Sequence, residues 1–140
     1  MKLKVFTVGK LSLKPVGALS EEYLGRIQHY LPIEITNLKS SEDFFSKLAA
    51  QDYLIALDER GKTFSSTEFA KWLEDQKLRS VKNLVFFVGP AGGVPEEIKK
   101  RANLLLSLST MTLQHELALV VLLEQIYRAC TILKGEPYHK

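Results

Sequence analysis

The chain has one cysteine, one tryptophan and two methionines among its 140 residues. A single thiol excludes an internal disulfide, and no Cys/His grouping has the spacing of a zinc site, so no metal is expected. Long hydrophobic runs are missing. The longest, Leu117–Leu123, has seven residues, against the roughly 20 that span a bilayer. The apolar part of MKLKVFTVGK is too short for a secretory signal. These absences point to a cytoplasmic protein with no membrane partner. Repeats, low-complexity tracts and linker-like stretches are also missing, so residues 1–140 read as one domain, long enough to bury a core unaided. There is no strong charge excess. The net charge is +3, which permits a nucleic-acid partner without demanding one. The excess has a location. Residues 1–70 carry nine basic and nine acidic side chains, and residues 71–140 carry ten basic and seven acidic.

What is present is alternation. Lys2–Val8, Ile33–Leu38, Tyr53–Leu57, Leu84–Val88 and Leu104–Leu108 read as strands. Helices are expected over Ser20–Tyr30 with Ser20 as N-cap, and over a short stretch, Ser41–Ala50, with Phe44, Phe45 and Leu48 inward. A third begins at the capping box Ser65-Ser66-Thr67-Glu68 and runs to Leu78. A fourth spans Pro95–Asn103 with proline at N1. The last covers His115–Lys134, with Thr112 as N-cap and Gly135 and Pro137 as its stop. Cys130 falls in register with Leu119, Ile126 and Leu133 and reads as a small buried hydrophobe. This order predicts an α/β fold, a mostly parallel sheet with helices on both faces. In such sheets ligands bind beyond the carboxyl ends of strands. Three ends are candidates: Leu57 to Gly61, Gly89 to Gly93, and Leu108 to Leu113.

Val88-Gly89-Pro90-Ala91-Gly92-Gly93 is neither GxGxxG nor a phosphate loop. It is a tight turn, or a place where missing β-carbons let a flat ligand meet backbone. Leu57, Leu108 and Leu113 are core residues or the apolar walls of such a site. The final helix is apolar on every side from Leu117 to Leu123, more than one sheet face requires. A second copy of the same helix would cover the surplus. Arg128 and Glu124 are four apart, a simple ion pair or part of a site. His115 near a helix N-terminus fits a neutral hydrogen-bonding role. The chain closes on an aromatic, an imidazole and an ammonium, Tyr138-His139-Lys140.

Several motifs stand in a familiar order: Val8-Gly9-Lys10, Glu22-Tyr23, Leu57-Asp58-x-x-Gly61-Lys62, Leu108-Ser109-x-Met111-Thr112, His115, Glu124-Gln125, Tyr127-Arg128-Ala129 and Pro137-Tyr138-His139-Lys140. The chain resembles, over nearly its whole length, the SPOUT-superfamily ribosomal RNA large-subunit methyltransferase H family. That resemblance implies a C-terminal deep trefoil knot, a homodimer with a shared active site, and methylation of N3 of a pseudouridine in 23S rRNA, in the assembled ribosome. The implied cofactor is S-adenosyl-L-methionine, at Leu57, Gly89, Leu108, Ser109, Thr110, Met111, Thr112 and Leu113. The implied catalytic group is His139, Tyr138, Lys140 and Arg128. His139 is the candidate acceptor of the N3 proton, since its ordinary pKa is near neutral. Arg128 and Lys140 would stabilise the imide anion or hold phosphate, and Tyr138 would stack on a base. The alternative for the tail is RNA docking without proton transfer. Three positions depart from the family: Pro90 for a second glycine, Gln114 for proline, and Leu119 for arginine. The lost arginine supports a second reading, a non-catalytic RNA-binding or assembly factor.

Overall fold

A computed structural model describes all 140 residues. Five strands, β1 (Lys2–Val8), β2 (Ile33–Leu38), β3 (Tyr53–Thr63), β4 (Asn83–Val88) and β5 (Leu104–Ser107), alternate with four helices, α1 (Lys14–Gln28), α2 (Ser66–Leu78), α3 (Glu96–Arg101) and α4 (His115–Leu133). Every strand pairing is parallel, and the order is β2-β1-β4-β3-β5. No helix is long and apolar enough to cross a membrane.

Both faces of the sheet are covered, so strand residues are buried whichever way they point. Leu3, Val5, Ile55, Leu84 and Phe86 face one cluster, where Ile27 of α1, Phe69 and Leu73 of α2, and Leu119, Leu122 and Ile126 of α4 close over them. Phe6, Leu54, Val85 and Phe87 face the other, closed by Phe44 and by Ile98 of α3. Cys130 is buried with the first cluster.

Four boundaries differ from the pattern-based reading. Helix α1 starts at Lys14, not Ser20. Pro15 fits a first turn, where its missing N–H costs nothing, and Gly17 is tolerated inside. Ser20 is therefore an interior, buried residue, and its hydroxyl lacks a protein partner. Ser41–Ala50 is not one helix but two 3₁₀ turns, Ser41–Asp43 and Phe45–Lys47. Only Phe44 of its phenylalanines is buried, while Phe45 is exposed. Pro95 is the N-cap of α3 and not its first residue. Gln114, not Thr112, caps α4, and its side-chain oxygen accepts from the amides of Glu116 and Leu117 at 2.8 and 3.0 Å. The capping box at Ser65 and Glu68 forms as expected.

The fifth difference shapes the site. Strand β3 runs six residues past Leu57. Both Leu57 and Lys62 align with Leu106 of β5, so Asp58–Gly61 bulges out between them. A bulge re-aims side chains and often marks a functional edge. Gly61 is required there. A β-carbon at that position would lie 2.5 Å from the carbonyl oxygen of Leu105.

Candidate functional site

The bulge of β3 and the carboxyl ends of β4 and β5 converge on one cavity of about 540 Å³. Its volume is within the range of small-molecule sites, roughly 300–1,000 Å³. Leu57, Gly89, Leu108, Ser109, Met111, Thr112 and Leu113, the positions the resemblance implies for the cofactor, all line it. Thr110, the remaining candidate, is exposed and does not line the cavity. His115 and Ala118, at the amino end of α4, complete one wall.

The loops are held by hydrogen bonds that cross between strands. The Ser107 hydroxyl reaches the carbonyl of Glu59, 3.0 Å away on the bulge, and that of Ser109, 2.9 Å away on the following loop. The Thr112 hydroxyl donates to the Glu59 carboxylate. The Ser109 hydroxyl accepts from the Met111 amide at 3.0 Å. On the third loop, the Gly93 amide donates to the Pro90 carbonyl at 2.8 Å, closing a turn in which Gly93 has φ +94°. Pro90 thus supplies a turn carbonyl and forfeits only an N–H. Gly89 is small for a local reason. A β-carbon there would meet Val94 Cγ2 at 2.8 Å and the Gly93 carbonyl carbon at 3.1 Å. The close approach is to its own loop, so Gly89→Val would disturb the turn as well as any ligand.

Sequence reasoning placed Leu57–Gly61 at a strand end but assigned its charged residues no role. Asp58 lies 3.1 Å from the Lys99 ammonium. The Arg60 amide donates to its carboxylate at 3.0 Å, and this bond, followed by Lys99, holds the carboxyl below its ordinary range. Glu59 also lines the cavity. The signal for these two was in the sequence, because charged residues directly after a buried strand sit at its carboxyl end.

The tail residues gather elsewhere, at the carboxyl end of α4. Arg128 Nε lies 3.1 Å from Glu124 Oε1 and Nη2 lies 3.2 Å from Oε2, a two-point contact. The Tyr138 hydroxyl donates to the same carboxylate at 3.2 Å. Its ring stands edge-on to Tyr127, centroids 4.6 Å apart, beneath the Arg128 guanidinium at 4.8 Å. Burial, with Tyr23 and Glu124 adding to it, pushes the Tyr138 phenol well up. His139 Nδ1 is 3.0 Å from Arg128 Nη1. The Tyr30 hydroxyl donates to Glu136 at 2.7 Å, and that bond pushes the Tyr30 phenol up to about 12. The tail is therefore docked on its own helix and not loose beyond it. Lys140 is exposed.

Within one chain these two groups do not meet. None of Arg128, Tyr138, His139 or Lys140 lines the cavity. From Ala118 to Arg128 alone, the helix rises ~15 Å. No cluster of three or more His, Cys, Asp or Glu residues is placed to hold a metal.

A family profile described as predicted SPOUT methyltransferase matches residues 1–139. The chain belongs to the SPOUT methyltransferase family. Among curated relatives, a protein of Coprothermobacter proteolyticus named ribosomal RNA large subunit methyltransferase H is 41% identical over 100% of both chains. Proteins of the same name from Syntrophotalea carbinolica and Cytophaga hutchinsonii are 38% and 40% identical over 99% of each chain. A solved Legionella pneumophila structure, assigned as a methyltransferase and in complex with bound SAM, shares the fold. Its TM-score is 0.53 at 13% identity, covering 92% of this chain and 66% of that one. Of the departures from the family, Leu119 is the most informative. It is 1% exposed and packs in the core under the sheet, so a side chain at this position is directed inward.

Proposed function

We propose that this protein is an S-adenosyl-L-methionine-dependent methyltransferase that modifies N3 of a pseudouridine in large-subunit ribosomal RNA. The observation that carries the reading is the cavity at the three strand ends, together with full-length identity near 40% to relatives bearing the name ribosomal RNA large subunit methyltransferase H. It acts in the cytoplasm, as a single SPOUT domain whose last segments form the family's deep trefoil knot.

The cavity suits the cofactor. Leu57, Leu108 and Leu113 supply apolar walls, and the main chain of 108–113 and 89–93 supplies donors and acceptors for an adenine edge. Asp58, Glu59, Arg60 and Lys99 also line the cavity, so its acidic and basic side chains balance. When bound, the cofactor supplies a methyl group on a sulfonium, whose bond to sulfur breaks as the bond to N3 forms. The protein's task is alignment of nucleophile and methyl.

The tail supplies the RNA side of the site: Tyr138 to stack, Arg128 and Lys140 to meet anionic charge, and His139 to bond the base. Because it stands at the far end of α4 from the cavity, a complete site takes the tail of a second copy. Leu117, Val120 and Val121 form the surface through which two α4 helices would meet. Leu117 is 48% exposed in the single chain, and both valines keep part of their surface open. The non-catalytic alternative loses its main support, since Leu119 faces the core.

The test is methyl transfer. Purified protein and labelled cofactor are incubated with large subunits and with assembled ribosomes from a strain lacking the endogenous enzyme, and the rRNA is digested for mass spectrometry. A single methylated pseudouridine is the expected product. Cofactor binding without transfer to either substrate would overturn the reading.

A further inference from the structure

The two ring nitrogens of His139 are not equivalent here. Arg128 Nη1 lies 3.0 Å from Nδ1. A guanidinium has donors only and stays protonated in proteins. Nδ1 is therefore the acceptor in this bond, and the neutral ring carries its proton on Nε2. Arg128 is in turn fixed by Glu124 through its Nε and Nη2. Glu124 also accepts from Gln125 Nε2 at 3.0 Å and from the Tyr138 hydroxyl, while Gln125 is tied across to Ser66 of α2 at 2.8 Å. The relay from α2 to the imidazole is continuous.

We infer that His139 acts on the target base as an Nε2–H hydrogen-bond donor and not as its proton acceptor, with Arg128 and Glu124 as positioning residues that set this tautomer. The inference rests on the methyltransferase reading above. The lone pair a base would need is already engaged by Arg128, and the nitrogen left free bears a hydrogen. Such a group fits a carbonyl oxygen flanking N3, where negative charge grows as the imide ionises. The N3 proton passes to solvent water, and its electron pair stays on the imide. That pair forms the bond to the methyl carbon, while the carbon–sulfur pair returns to sulfur.

The roles separate by substitution. Glutamine can place an amide N–H near the Nε2 position but cannot act as a base, whereas asparagine reaches only the Nδ1 position. His139→Gln is expected to keep methyl transfer within about ten-fold of wild type, with His139→Ala and His139→Asn lower by on the order of 10²-fold. Glu124→Ala, which frees Arg128, should lower kcat with little change in KM for the ribosomal substrate. His139→Gln as inactive as His139→Ala, in a folded dimer with unchanged cofactor and RNA affinity, would overturn the donor role. A second readout needs no activity. Long-range proton–nitrogen spectra of histidine-labelled protein should show an unprotonated Nδ1 whose resonance moves in Arg128→Met. A proton on Nδ1, or no response to Arg128→Met, would also overturn the inference. Were the spectra as expected but wild-type protein unable to transfer methyl, the functional reading would fail and the tautomer assignment would stand.

Discussion

The two ends of α4 are built on opposite plans. At its amino end the cavity is shaped by three loops, whose backbone is held by short hydroxyl-bearing side chains such as Ser107 and Ser109. At its carboxyl end the tail site is made of long side chains on one helix: Glu124, Tyr127 and Arg128 clasp Tyr138 and His139. The first plan suits a ligand that is always the same, because backbone geometry is set by the fold. The second suits a large partner, because side chains reach outward and offer stacking and charge. Damage should differ accordingly. Changes at the tail should abolish chemistry and spare the fold, while changes at the cavity should cost both.

Removal of Tyr138–Lys140 should have the largest effect. Methyl transfer is expected to fall by on the order of 10³-fold or more, since several groups proposed to meet the base go together. Loss of the Tyr138–Tyr127 contact and of two hydrogen bonds, to Glu124 and from Arg128, should cost only ~2–3 kcal/mol of stability. Dimerisation and cofactor affinity, read by sedimentation and calorimetry, should persist. Full activity in the truncated protein would remove the tail from the mechanism.

Val121→Glu tests whether the ends of two helices work together. A carboxylate buried without a partner costs ~3–5 kcal/mol, enough to separate a modest interface. The variant should sediment as a monomer with intact secondary structure, still bind cofactor, and transfer no methyl. A wild-type protein that sediments as a monomer at micromolar concentration would instead sink the shared site.

Gly61→Ala should act on the cavity end alone. Its β-carbon would press on the Leu105 carbonyl, and the β3–β5 pairing must shift to relieve it. Strain of this kind costs ~1–3 kcal/mol. Both the thermal midpoint and cofactor affinity should drop, whereas a variant with normal affinity would show that the bulge does not shape the pocket.

The contrast between the ends also explains what could be read from sequence. Strand β4 is apolar from Leu84 to Val88 and was found almost to the residue, as was α2, whose start is written locally in its capping box. The loops that line the cavity were legible as strand ends with glycines and hydroxyls, whereas their convergence depends on the sheet order β2-β1-β4-β3-β5 and could not be read. The start of α1 was not, because no local residue caps it. Leu13, its N-cap, provides no side-chain bond, and the partner arrives from Glu116, 103 residues away. The bulge in β3 was equally hidden, since the alignment of both Leu57 and Lys62 with Leu106 is a property of two strands together. The docking of the tail depends likewise on contacts distant in sequence: Glu124 accepts from Tyr138, and Tyr30 donates to Glu136.

The smallest effect should come from Glu116, and its sign can be fixed in advance. Its carboxylate accepts the Leu13 amide at 3.0 Å, joining the start of α1 to the start of α4 beside the cavity. That bond, more than any other neighbour, holds the carboxyl below its ordinary range. A group with a depressed folded pKa contributes stability above its unfolded pKa, and the contribution fades as pH falls through the folded value. Glu116→Gln keeps the shape and an acceptor oxygen but loses the charge. Urea denaturation should therefore find the variant slightly less stable at pH 7, with the gap closing as pH falls below ~4. Cofactor affinity should change little, because Glu116 does not line the cavity. A gap that is the same at both pH values would mean that the shape of the side chain, and not its charge, joins the two helices. A large loss of affinity would mean that the two ends of α4 are less independent than their construction suggests, with α1 transmitting strain into the pocket.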